Sequence, residues 1–228
     1  TYTVTWLFDD GRGNTSVQTQ KVVIQPLALP VHEDFESVSL CSQTGDCAVT
    51  ECNIGSVWKN GKNGIADHID WRVSEGQTPS ASTGPSADAK PGTATGNYIY
   101  LEASSCFNRT AVMESACLDL STVANGKLSF AYHMDGADMG SLHVDVYTAG
   151  AWNHDVISAV SGDQGNLWHR DTVSLAAYAG KIVKVRFRGI SGNSWESDIA
   201  LDDIRIFCTG APVPAIASLP DLQSACSI

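Results

Sequence analysis

The chain has 228 residues, 43% of them hydrophobic, and a formal net charge of −11. That is enough apolar material for one full core with fragments of neighbouring domains. The acidic balance argues against a nucleic-acid partner, which needs basic patches, and no apolar run approaches the ~20 residues of a membrane-inserting helix.

Thr1 carries no signal peptide, so the sequence is expected to begin inside a longer protein or after processing. Residues 1–25 read as a β-hairpin: two alternating runs (Tyr2, Val4, Trp6, Phe8 and Val17, Thr19, Val22, Ile24) flank a Gly/Asp/Asn turn at 9–14. A lone hairpin is marginal in water, so it either packs on the main domain or closes a preceding one. Residues 26–30, bracketed by Pro26 and Pro30, form a linker. From 31 to 209 the chain is strand after strand, clearest at 97–104, 110–120, 126–136, 141–148, 167–175, 181–190 and 198–207. The stretch 175–180 is at most one helical turn, and 53–96, rich in Gly, Ser, Thr and Pro, reads mostly as long loops. Many strands without crossover helices give an all-β fold, a two-sheet antiparallel sandwich or jelly roll. Residues 210–228 are a Pro/Ala linker and the start of a following unit.

Seven cysteines (Cys41, Cys47, Cys52, Cys106, Cys117, Cys208, Cys226) lack the short paired spacing of zinc knuckles. Disulfides in an oxidising compartment are the expectation, and with them a secreted or cell-surface location. Cys106 and Cys117 close a ten-residue loop between successive strands and suit a hairpin bridge. Two of Cys41, Cys47 and Cys52 are expected to pair with each other. The third would reach Cys208 if the domain ends meet, and Cys226 is left over.

Seven stretches, "HEDFES" (32–37), "DHIDW" (67–71), "GNYIYLEAS" (96–104), "LSFAYHMDGADMGSLHVDV" (128–146), "SGDQGNLWHRDTVSL" (161–175), "VKVRFRGISG" (183–192) and "SDIALDDI" (197–204), resemble a MAM domain in order and spacing. The resemblance covers 31–208 and implies a jelly roll acting as a non-catalytic adhesion or interaction module. Asp34 stands where that family often has a cysteine, and the cluster Cys41, Cys47, Cys52 looks more like a bacterial branch. The flanks resemble HYR-type, immunoglobulin-like repeats. The expected parent is thus a multi-domain bacterial surface or secreted protein, with neighbouring domains in the same chain and a cell-surface protein or polysaccharide as partner.

The adjacent carboxylates Asp202 and Asp203 interrupt an apolar strand, so one of them should face inward unless a bulge intervenes. A buried carboxylate needs a positive partner. By the jelly-roll resemblance, first and last strands lie side by side, bringing Glu36 near Asp202 and Asp203 around a structural calcium, or sodium, ion. Asp67 and Asp70 are further candidate ligands, since calcium takes six to eight oxygens. The alternative is that these acids cap turns or pair with Arg186, Arg188 or Arg205.

Catalysis finds little support. No G-x-S-x-G or H-E-x-x-H occurs, nothing marks a carboxylate pair such as Asp145 with Asp171, and His133 and His143 read as packing or surface residues. Trp152 and Trp195 lie in Gly/Asn/Ser-rich loops and could stack on a sugar ring. The rival function is therefore a carbohydrate-binding module tethered to a polysaccharide-degrading enzyme. Trp71 and Trp168 read as core.

Overall fold

A computed structural model describes residues 2–42, 44, 47 and 52–209. Strands β1 (Tyr2–Asp9) and β2 (Thr15–Val22) pair as a two-stranded sheet of their own, Leu7 opposite Val17. Asp10 organises the turn, its carboxylate accepting from the Arg12 and Asn14 amides. Trp6, Leu7 and Phe8 are exposed.

The remaining strands are β3 (Val31–Glu33), β4 (Trp58–Asn60), β5 (Trp71–Glu75), β6 (Asn97–Leu101), β7 (Thr110–Ser115), β8 (Leu118–Asp119) and β9 (Gly126–Met134). They continue with β10 (Ser141–Thr148), β11 (Ala151–Asn153), β12 (Val160–Ser161), β13 (His169–Ser174), β14 (Ile182–Ile190) and β15 (Ile199–Cys208). A single 3-10 turn, Ala176–Tyr178, precedes β14. The first sheet runs β11-β10-β14-β7-β4, with β12 beside β10 and β8 beside β14. The second runs β13-β9-β15-β6-β5, with β3 beside β15. All the pairings are antiparallel, and the two sheets pack face to face as a jelly-roll sandwich. Within the loop-rich stretch 53–96 two strands form, β4 and β5, each short and anchored by a buried tryptophan, Trp58 and Trp71.

Alternation explains the core. In β14, Val183, Val185 and Phe187 are buried, while Lys184, Arg186 and Arg188 turn outward. Leu128 and Phe130 of β9, Ile199 and Leu201 of β15, and Ile99 and Leu101 of β6 meet them from the opposite sheet. Phe187 sits at the centre, its ring 4.9 Å from Phe130 and 5.5 Å from Trp58.

Strand order corrects the expected Cys106–Cys117 bridge. β6 belongs to the second sheet and β7 to the first, so the segment between these cysteines crosses the sandwich and contains the whole of β7. A six-residue strand spans about 20 Å, far beyond disulfide reach. Cys106 instead pairs with Cys47, whose backbone N–H donates to the Ser104 carbonyl at 3.1 Å. Cys41 pairs with Cys52, as a partnership within the early cluster. The third member is thus bound to Cys106 and not to Cys208, which is an exposed free thiol. Cys117 is itself disulfide-bonded. Cys226, like the expected unit at 210–228, lies outside the described residues.

Candidate functional site

The strand interrupted by Asp202 and Asp203 solves its problem with a bulge. Pairing of β15 with β9 shifts register between Asp202 and Arg205, and Asp203 adopts φ 45°, a left-handed conformation that Asp tolerates better than most residues. Both carboxylates therefore reach the outer side of the second sheet, while Leu201 and Ile204 stay in the core. Asp202 accepts from three backbone amides: Asp203 at 2.6 Å, Ala89 at 2.9 Å and Lys90 at 3.2 Å. Asp203, 2% exposed, is met by two arginines and a histidine. His32 Nε2 lies at 2.7 Å, Arg205 Nε at 2.8 Å, and Arg170 Nη2 completes the set. Burial opposes its ionisation, but Arg205, His32 and Arg170 outweigh it and hold the carboxyl below its ordinary range.

Glu36 does not join them. It is exposed, and its Oε1 accepts from the Asn97 amide at 2.7 Å. Asp67 and Asp70 lie together in the loop before β5. Asp67 Oδ2 accepts from Val112 N–H at 2.7 Å and Asp70 Oδ1 from Asn63 Nδ2 at 2.7 Å. Two buried oxygens there have no hydrogen-bond partner, Asp67 Oδ1 and Asn63 Oδ1. Burial first, then the charges of Asp70 and Glu114, raise the Asp67 carboxyl to about 6. Among the described residues no group of three His, Cys, Asp or Glu side chains stands ready to hold a metal ion. The five candidate ligands are thus divided among separate places. Asp203 is occupied by Arg170, Arg205 and His32, whereas in the Asp67 loop Asp67 Oδ1 and Asn63 Oδ1 have no partner among the described residues.

A third set of acids escaped sequence reasoning. The segment 76–96 lies over part of the second sheet's outer face: Trp168 Nε1 donates to Ala87 O, Tyr98 hydroxyl to Gly76 O, and Thr83 hydroxyl to Asp135 O. Beneath it are Arg72, Tyr98, Tyr100, Glu102, His133, Asp198 and Asp202, all buried. Asp198 Oδ1 accepts from Ala103 N–H and Glu102 Oε1 from Ser104 N–H, the Thr78 hydroxyl also acts on the Asp198 carboxyl, and Glu102 Oε2 and Asp88 Oδ2 have no partner among the described residues. Burial, reinforced by the neighbouring Glu102, raises Asp198 to about 8; burial and Asp88 raise Asp202 to about 7. The signal that could have revealed this layer is the strand period itself. Positions 198, 200 and 202 alternate with core Ile199 and Leu201, yet none is exposed.

These two acids set a pH dependence. A carboxyl with a raised folded pKa binds its proton more tightly when folded, so stability grows as pH falls through the folded value toward the unfolded one near 4. The melting temperature in chelator is expected to rise from pH 8.5 to about pH 5, and Asp198→Asn to flatten the upper part of that rise. A flat wild-type profile would contradict the assignment.

The outer face of the first sheet holds another buried acid. Asp145 is gripped by Arg186 (2.7 and 2.9 Å) and Arg188 (2.7 and 3.3 Å), and its Oδ1 accepts from Asp155 N–H at 2.9 Å. Asp145 is thereby remote in role from Asp171, which lies on β13 of the other sheet. Trp152 is half-buried, with the Arg186 guanidinium 3.9 Å from its ring centroid, so one ring face is already occupied. Trp195 is 52% exposed. His143 bonds Asp155 at 2.6 Å and His133 bonds Asn166 at 3.1 Å, both in structural pairings. Trp71 is fully buried, and Trp168 packs half-buried against Tyr98 and His133.

The family model "MAM domain, meprin/A5/mu" matches residues 34–210. Thyroid hormone-induced protein B of Xenopus laevis is 33% identical over 177 residues, which is 76% of this chain and 23% of the relative. MAM domain-containing glycosylphosphatidylinositol anchor protein 1 of Gallus gallus is 30% identical over 150 residues, 61% of this chain and 15% of the relative. The chain thus spans less than a quarter of the length of these curated relatives. Among solved structures, the K1 cleaved adhesin domain of Lys-gingipain from Porphyromonas gingivalis W83 superposes with a TM-score of 0.51 at 20% identity, covering 80% of this chain and 99% of that one, a likeness of fold. With two sheets in jelly-roll order and a family match over well more than half of its residues, the chain belongs to the MAM domain family.

Proposed function

We propose that this chain is a non-catalytic extracellular interaction module within a multi-domain bacterial surface or secreted protein, fastened by a structural calcium ion. One observation carries the first half: the strand acids Asp145, Asp202 and Asp203 are spent on structure, and Glu102 and Asp198 are buried beneath segment 76–96. Asp145 is clamped by two arginines, Asp203 by two arginines and His32, and Asp202 by backbone amides. Two disulfides fit an oxidising, extracellular setting, and among the described residues no helix is long and apolar enough to cross a membrane. The bacterial part of this reading rests on the resemblance alone: Asp34 stands where the family often has a cysteine, and Cys41, Cys47 and Cys52 form a cluster. The test is saturable binding of the labelled chain to intact cells and to insoluble polysaccharides, with no turnover of any polymer. Release of sugars, or a complete lack of saturable binding, would reject the module.

Calcium is assigned to the loop of Asp67 and Asp70. Two carboxylates in electrostatic contact, with the partnerless Asp67 Oδ1 and Asn63 Oδ1, supply the hard oxygens the ion prefers. Bound there, calcium would cancel the repulsion within the loop and tie it to β7 through Asp67. Calorimetric titration of chelator-treated protein is expected to show one saturable event and a raised melting temperature. Both should vanish in Asp67→Asn. Absence of binding in the wild type would withdraw the ion and leave the fold unaffected.

A further inference from the structure

Among the described residues, segment 76–96 covers only one part of the outer face of the second sheet. Beyond the bulge the register places Thr172, Ser129, Arg205 and His32 side by side across four strands, and Ser174, Lys127 and Phe207 in the next row. Their neighbours Val173, Leu128, Phe130, Ile204 and Ile206 are buried in the core, so alternation turns these rows outward. Arg170, Arg205 and His32 have side chains 44%, 39% and 40% exposed, and all converge on the buried Asp203.

The cations there are not used up. Arg205 meets Asp203 through Nε, leaving both terminal nitrogens of its fork without a partner among the described residues. Lys127 has no acidic partner among them either. Arg170 and Arg205 share one carboxylate, and Lys127 lies in the next row of the same face, in a chain whose net charge is −11. Beside them is a hollow of about 260 Å³ lined by Pro30, Val31, His32, Arg205 and Phe207. That is below the ~300 Å³ at which drug-sized pockets begin, and suits a single ring.

We propose that this uncovered half-face binds an acidic polysaccharide, with uronate or sulfate groups on the Arg205 fork, Arg170 and Lys127 and a sugar ring in the hollow against Phe207. The proposal rests on the interaction-module reading and names its site and ligand class. Charge complementarity favours an anionic polymer. Guanidinium forks match carboxylate and sulfate oxygens in pairs, and Asp203 holds two of them in place before any ligand arrives, which lowers the ordering cost. Strand addition by a peptide would use the sheet edges at β13 or β3 and would not engage the cationic face of the interior strands β9 and β15, whose backbone groups are already paired. On this face recognition comes from side chains: cationic forks, the exposed Thr172 and Ser174 hydroxyls, and one aromatic ring.

The test is affinity electrophoresis of the full chain through gels containing polygalacturonate or chondroitin sulfate, with dextran and poly-glutamate gels alongside. Retardation by at least one acidic polysaccharide and none by dextran is expected, weakening as salt is raised. Lys127→Glu should weaken apparent affinity at least tenfold and Phe207→Ala about threefold, while Lys127→Arg retains it. The Lys127 side chain has no ion pair or hydrogen bond among the described residues, and an unchanged melting temperature would show that the variant is intact. No retardation in either acidic polysaccharide, equal retardation of Lys127→Glu, or equal retardation by poly-glutamate would overturn the site. If cells or insoluble polysaccharides still bound Lys127→Glu as tightly as the wild type, this site would fall while the module reading stood.

Discussion

Phe187→Ala is expected to lower unfolding stability by about 3–5 kcal/mol, the range for truncating a fully buried aromatic residue. Phe187 is 0% exposed and lies where the sheets meet, against Phe130 and Trp58. Removing its ring takes away apolar burial and leaves a void lined by two further rings that are themselves held by strand ladders. β14 pairs with both β10 and β7, so the backbone cannot move inward to close the gap. Domains commonly hold only about 5–15 kcal/mol in total, so a large fraction of the margin goes. Urea unfolding should show a lower midpoint with an unchanged slope. A loss under about 1 kcal/mol would mean that the site repacks and that the centre of the core lies elsewhere.

Asp145→Ala should cost about 3 kcal/mol, because it strands Arg186 and Arg188 on one strand face with their shared counter-charge gone. Asp145 is completely buried, whereas the two arginine side chains are 12% and 19% exposed and can partly recover hydration. The double variant Asp145→Ala, Arg188→Met should lose less than the single one, since it removes part of the uncompensated charge. Trp152 fluorescence reports on the same event through the Arg186 guanidinium stacked on its ring. Burial alone would raise the Asp145 carboxyl, but Arg188, the Asp155 amide and Arg186 together hold it near 2. Its folded pKa is therefore depressed, and its contribution is present above about pH 4 and lost as pH falls toward 2. Equal acid sensitivity of wild type and Asp145→Ala between those values would contradict this role.

The sandwich was legible because strand alternation is a local property: each of β9, β10, β14 and β15 announces its buried face in its own residues. The seven family-like stretches likewise mark segments that the sheets bring together. What lay hidden depends on pairing across distance. Cys106 and Cys117 look like hairpin neighbours until β6 and β7 are seen to belong to different sheets. Asp202 and Asp203 promised a cation, and the question turned on whether it would be a metal or a side chain. For Asp203 the answer is Arg170, Arg205 and His32, and of these Arg170 and His32 come from strands far away in sequence. The buried acids Asp88, Glu102 and Asp198 were invisible for a similar reason. The stretch 76–96 carries no strand pattern, so nothing local indicates that it lies over a sheet face.

The neighbouring positions of β3 and β15 bear on how the domain would behave under tension. Val31 pairs with Ile206 and Glu33 with Ile204, so the chain enters and leaves the sandwich at the same end of one antiparallel ladder. A pull applied at both ends would therefore load that ladder one rung at a time, like opening a zip, instead of shearing many backbone hydrogen bonds together. β3 has only three residues to resist it. In a string of linked domains, the first rungs to open would be the bridge of Leu27 to β8 and then β3, while the remaining strands stayed closed.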